Sequence, residues 1–169
     1  MLKSGRPFEA SPPDAARPSP TIETRLRGLA AVYAALLVHL SLYPYSGWRS
    51  PSATVWAYWL SPAILPLPHF FPVDAILNFI AYIPLGGFAL WSQPRGWRRF
   101  GWASAGAWLA CTALSLSLEL TQGFLPSRVS SKVDLLLNSL GAAVGVVLTA
   151  RANRLLTERS RISCPPQTG

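Results

Sequence analysis

The sequence predicts an all-α membrane protein: four transmembrane helices arranged as two parallel-oriented helical hairpins, with a proline-rich interfacial outer loop. Three observations predict it. Half of the 169 residues are hydrophobic and only 13% are charged, against about a quarter charged in soluble domains. The charges are also segregated, leaving four apolar runs near the roughly 20 residues that a spanning helix needs. Finally, the pattern V-D-x-x-L-N occurs twice, at 73–78 and again at 133–138. Each copy opens an apolar run, so the chain reads as a hairpin repeated in the same orientation.

Taken in order, residues 1–24 are rich in Pro, Ser, Ala and charge. No apolar core follows a short basic start, so this is read as a disordered cytoplasmic tail and not as a signal peptide. The membrane domain is expected over 25–151. Its first span, Leu26 to Leu42, is led in by Arg25 and Arg27 and ends at Tyr43, Pro44, Tyr45 and Trp48, an aromatic–proline pattern suited to a membrane interface. His39 has no second His or Cys beside it in the span, so it is read as a packed residue. Between 44 and 72 there are six prolines, too many for a spanning helix, in a composition too apolar for open water. That is the interfacial loop, with W-A-Y-W-L at 56–60 as a short helix within it.

The second span, Asp74 to Trp91, carries Pro84 as a kink and Gly86–Gly87 as a point of close approach. After a basic turn at 93–99, the third span runs from Phe100 to Leu125. Gly101, Ala105 and Gly106 form a small-residue face near its start, and Thr112, Ser115, Ser117 and Thr121 are read as bonding their own helix's carbonyls. The fourth span is Val133 to Ala150, with a G-x-x-x-G packing motif at 141–145. A basic cytoplasmic tail, 152–169, follows.

The net charge of +8 does not point to nucleic acid, because the basic residues flank the apolar runs. Twelve of the fifteen Lys and Arg fall in the two tails, at their junctions with the first and last spans, or in the 93–99 turn, leaving Arg49, Arg128 and Lys132 on the opposite side. The positive-inside rule then places both termini in the cytoplasm, as expected of a multi-pass protein of a bacterial plasma membrane. Cys111 and Cys164 suggest neither a disulfide nor a metal site, and no cofactor is expected.

Candidate functional residues gather at the end of the bundle opposite the termini. Asp74 and Asn78 are four apart, Asp134 and Asn138 likewise, and Glu119 and Gln122 three apart, so each pair falls on one helix face. Arg128 lies in the turn between the last two spans. Asp74 and Asp134 are placed to cap helix N-termini, and Glu119 could pair with Arg128 or Lys132 as a staple. Against that stands a polar cavity binding a lipid headgroup or glycan, since an ionisable group inside a span calls for a role. A further alternative is an enzyme or carrier acting on lipid-linked phosphates. Arg128 and Lys132 would then hold phosphate, with Glu119 or Asp134 as acid or base, although no His-based pair supports it.

Three blocks carry a family resemblance: D-A-I-L-N-F-I-A-Y-I-P-L-G-G-F at 74–88, S-L-S-L-E-L-T-Q-G-F-L-P-S-R at 115–128, and D-L-L-L-N-S-L-G-A-A-V-G at 134–145. Together the chain resembles the VanZ-like family of bacterial integral membrane proteins. The resemblance implies the four-helix fold and a cell-envelope location. It also implies a link to glycopeptide (teicoplanin) tolerance, through association with the family's namesake. The ligand itself, a lipid headgroup, glycan, cell-wall precursor or glycopeptide-related molecule, is expected from the polar cluster and not from the resemblance.

Overall fold

The computed structural model describes residues 22–62, 72–93 and 101–163. The tail up to residue 21, the middle of the proline-rich loop (63–71), the basic turn at 94–100 and residues 164–169 lie outside them. Among the described residues there are five helices: α1 (Ile22–Leu42), α2 (Ala53–Leu60), α3 (Pro72–Trp91), α4 (Gly101–Gln122) and α5 (Lys132–Ser163). All but α2 are long and apolar enough to cross a membrane. Their outward faces carry Leu29, Val32 and Leu36 on α1, Ile76 and Ile80 on α3, and Val147 and Leu148 on α5. Lipid, and not water, is the solvent such a surface suits.

The most extensive contact in the bundle is between α3 and α5. Glycines make it possible. A Cβ built on Gly141 would collide with the Phe79 carbonyl, one on Gly145 with the Ile83 carbonyl, and one on Gly86 with the Ala142 carbonyl. Backbone therefore lies against backbone over about two helical turns. The matched pairs climb together, 79 with 141 and 83 with 145, so α3 and α5 run in the same direction. The V-D-x-x-L-N repeat thus brings its two copies side by side.

Around this axis α4 packs with Ala103, Ala107, Cys111 and Ser115, all buried. These four recur at intervals of four residues and form one helix face. The face expected from Gly101, Ala105 and Gly106 points away: all three are exposed, and a Cβ at either glycine would meet nothing. Small size suits lipid-facing positions as well as packed ones, so composition alone misplaced the contact. Trp108 donates to Ser139 on α5, and Thr112 shares a hydrogen bond with the same hydroxyl. α1 joins through Tyr33, whose hydroxyl reaches the Ala81 carbonyl at 2.8 Å and whose ring meets Phe88 edge-on.

At the end holding the α1 start, Arg27 donates to the Ser92 carbonyl, and Trp91 bonds Asn153 at 3.2 Å. α5 continues well past the expected end of its span at Ala150. Its 32 residues reach about 48 Å at 1.5 Å per residue, beyond the roughly 30 Å hydrocarbon core. Arg151 and Arg154 sit on this protruding, exposed stretch. α2 includes the W-A-Y-W-L segment and buries none of its residues, as suits a helix lying along an interface.

Candidate functional site

The other end of the bundle is built by the turn between α4 and α5. Ser131 is the N-cap of α5: its hydroxyl accepts from the Asp134 N–H at 3.3 Å, satisfying one of the donors that a helix start leaves open. The Ser131 N–H itself donates to Glu119 Oε2 at 2.7 Å, and the Ser130 hydroxyl donates to the Glu119 carbonyl. Glu119, only 3% exposed, therefore ties the end of α4 to the start of α5. α2 clamps the turn from outside. Trp59 donates to Ser130, the Lys132 N–H donates to the Tyr58 hydroxyl, and the Lys132 ammonium lies over the Tyr58 ring and donates to the Ser61 carbonyl.

Arg128 is not Glu119's partner. Its guanidinium donates to the carbonyls of Leu40 at 2.7 Å and Tyr43 at 3.0 Å. Gln122 donates to the Ser41 carbonyl between them at 3.0 Å. These are the carbonyls that the end of α1 leaves unpaired, and a cation there also favours the helix dipole. The expected staple of Glu119 with Arg128 is thus replaced by two separate anchors, each on backbone. Arg128→Gln is expected to cost about 1–2 kcal/mol, the worth of its charge-assisted bonds at a half-exposed position. Faster amide exchange confined to the last turn of α1 would confirm it; unchanged exchange there would contradict the capping role.

Between α1, α3, α5 and the turn lies a cavity of about 450 Å³. Five of the seven predicted residues line it: Asp74, Asn78, Gln122, Arg128 and Asp134. Asn78 and Asp74 line the same cavity as Asp134, close enough to its carboxylate to act on it electrostatically. Because Ser131 takes the capping role at α5, the Asp134 side chain is left to the cavity. The two acids contributed by the repeat are therefore brought together at its rim.

Glu119 and Asn138, the remaining two, lie beneath the cavity and do not line it. Asn138 is 5% exposed and donates to the Ser115 hydroxyl at 2.9 Å, while its oxygen has no partner. Ser115 thus accepts from the neighbouring helix, whereas Ser117 and Thr121 donate to their own helix's carbonyls, at 2.8 and 2.6 Å. Tyr82, which the motifs did not single out, completes this buried layer. Its hydroxyl sits beside Ser115 and Glu119 with no well-oriented hydrogen-bond partner. Its signal was available in the sequence: Asp74, Asn78 and Tyr82 recur every four residues along one face of α3.

Among the described residues no group of His, Cys, Asp and Glu is placed to hold a metal ion. His39 bonds the Tyr45 hydroxyl at 3.0 Å through Nδ1 and stands away from the cavity. The model of the VanZ/LLP1 family matches residues 27–153. That stretch holds the second and third spans whole, all but the outermost few residues of the first and fourth, the turn and every residue of the cavity. No curated protein and no solved structure matches the chain.

Proposed function

The chain belongs to the VanZ/LLP1 family, and from that premise we propose that it is a non-enzymatic binding protein of the bacterial cell envelope, multi-pass in the plasma membrane, with its polar cavity facing outward. The observation that carries this reading is the cavity of about 450 Å³ into which Asp74 and Asp134 face together. Two carboxylates with two amides form an acceptor-rich lining, which suits a ligand presenting amines or sugar hydroxyls: a lipid headgroup, a glycan, or a cell-wall precursor. Arg128 and Lys132 are committed to backbone carbonyls, so binding is favoured over chemistry on lipid-linked phosphates. Teicoplanin tolerance is the phenotype to measure beside binding.

Co-purification tests the reading. Lipids and glycans retained by the purified chain are compared by mass spectrometry with those retained by an Asp74→Asn, Asp134→Asn double variant of similar melting temperature. The expected result is loss of an amine- or sugar-bearing species. An identical complement in both would overturn the proposal.

Orientation is tested independently in a cysteine-free background. A cysteine at position 127, in the exposed turn, is expected to react with an impermeant reagent from outside intact cells. One at position 95 is expected to react only after permeabilisation. The reverse pattern would turn the protein over and place the cavity in the cytoplasm.

A further inference from the structure

A second cavity, of about 470 Å³, lies on the other side of the α4–α5 turn, between it and the start of α2. Arg128 and Val129 line both cavities and so form part of the partition between them. The two differ in charge. The first carries Asp74 and Asp134; the second carries Arg49 and Arg128, and among the described residues no carboxylate lines it. Arg128 is held by the carbonyls of α1, but no partner for the Arg49 guanidinium is found among the described residues. Arg49 is positioned by its backbone, whose N–H donates to the Phe124 carbonyl at 3.0 Å. Ser50, Ser52 and Thr54 add hydroxyls to the same wall. Ser52 stands at the N-cap of α2 yet makes no side-chain capping bond; its hydroxyl pairs with that of Thr54 at 2.6 Å.

We propose that this second cavity binds a phosphate-type oxyanion, with the Arg49 guanidinium as its principal ligand and the hydroxyls of Ser50, Ser52 and Thr54 as secondary donors. A guanidinium presents paired N–H donors matched to two oxygens of a phosphate, and nearby hydroxyls complete the set. The positive field of Arg128 reaches the site without its donors having to leave α1. Position favours a lipid source for the anion. Exposed Tyr45, Trp48 and Trp56 surround this end of the bundle, and such aromatic residues collect at headgroup level. A free inorganic phosphate would use the same ligands. The inference goes beyond the reading above, because it concerns a separate cavity and does not require the acidic one to bind anything.

Native mass spectrometry of the full chain in detergent tests it, with dihexanoyl-phosphatidylglycerol as probe. Inorganic phosphate serves as competitor, and Arg151→Gln is the control for general attraction to a basic protein. Saturable binding is expected, weakened about tenfold by Arg49→Gln, the worth of one charge-assisted pair, and left unchanged by Arg151→Gln. Ser50→Asp, which sets a negative charge on the exposed wall, is expected to weaken it as well, so the test does not rest on one variant. Displacement by inorganic phosphate would identify the oxyanion itself as sufficient; resistance to it would assign the site to the intact lipid. Equal binding by wild type and Arg49→Gln, or equal loss in Arg49→Gln and Arg151→Gln, would overturn the proposal.

Discussion

Gly145→Val is expected to destabilise the folded bundle by roughly 3 kcal/mol or more. A Cβ at this position would run into the Ile83 carbonyl and come within 3.1 Å of the Gly87 nitrogen. Neither is the tip of a flexible side chain, so relief requires α3 and α5 to move apart along their whole contact. Overpacking of a core side chain costs about 1–3 kcal/mol; parting two backbones forfeits the dispersion contacts of neighbouring turns as well, so the loss should reach roughly the upper end of that range or beyond. Gly141→Val should behave alike, because its Cβ meets the Phe79 carbonyl. Gly106→Ala is the matched control. Nothing lies within 4 Å of its Cβ, and replacing a helical glycine gains up to about 1 kcal/mol. Melting temperatures in detergent check the set. A Gly145→Val protein as stable as wild type would mean that α3 and α5 do not meet backbone to backbone.

That contact was largely legible beforehand, for a definite reason. A motif repeated at the start of two like-directed spans implies equivalent positions, and G-x-x-x-G in the second copy names the face used. The spans were legible because apolar length is a local property of the sequence. What could not be read were the polar partners. Arg128 and Gln122 bond carbonyls of α1 at a sequence separation above eighty residues, and a backbone acceptor leaves no trace in the identity of the residue that supplies it. Charge complementarity in the sequence offers Glu119 either Arg128 or Lys132; the fold gives Glu119 and Arg128 backbone partners instead. α2 was visible as an aromatic segment. Its docking through Tyr58 and Trp59 depends on where the turn lies in space, which nothing local encodes. The buried layer of Tyr82, Ser115 and Asn138 falls between these cases. Its helix-face periodicity was present, but a tyrosine in an apolar run resembles core.

The same distinction decides what Glu119 does. Glu119→Gln is expected to leave stability within about 1 kcal/mol of wild type: the amide oxygen still accepts the Ser131 N–H, and a polar group replaces one whose charged form is costly to bury. Glu119→Leu has similar bulk but no acceptor. The Ser131 N–H, on a residue 6% exposed, would then be left unpaired, at a cost of about 1–3 kcal/mol. The N-cap of α5 would lose its tether, and the loosening should appear as faster amide exchange in the first turn of α5. Glutamine as damaging as leucine would show that the charge itself is required, against the backbone-anchor role. Leucine as stable as glutamine would show that the anchor carries no energy. Because Glu119 lies below the cavity and outside its lining, the folded Glu119→Gln protein should also keep whatever species Asp74→Asn, Asp134→Asn loses. If glutamine at 119 keeps the melting temperature yet releases that species, the cavity must extend downward to the buried layer, with the unpartnered oxygens of Tyr82 and Asn138 as its floor.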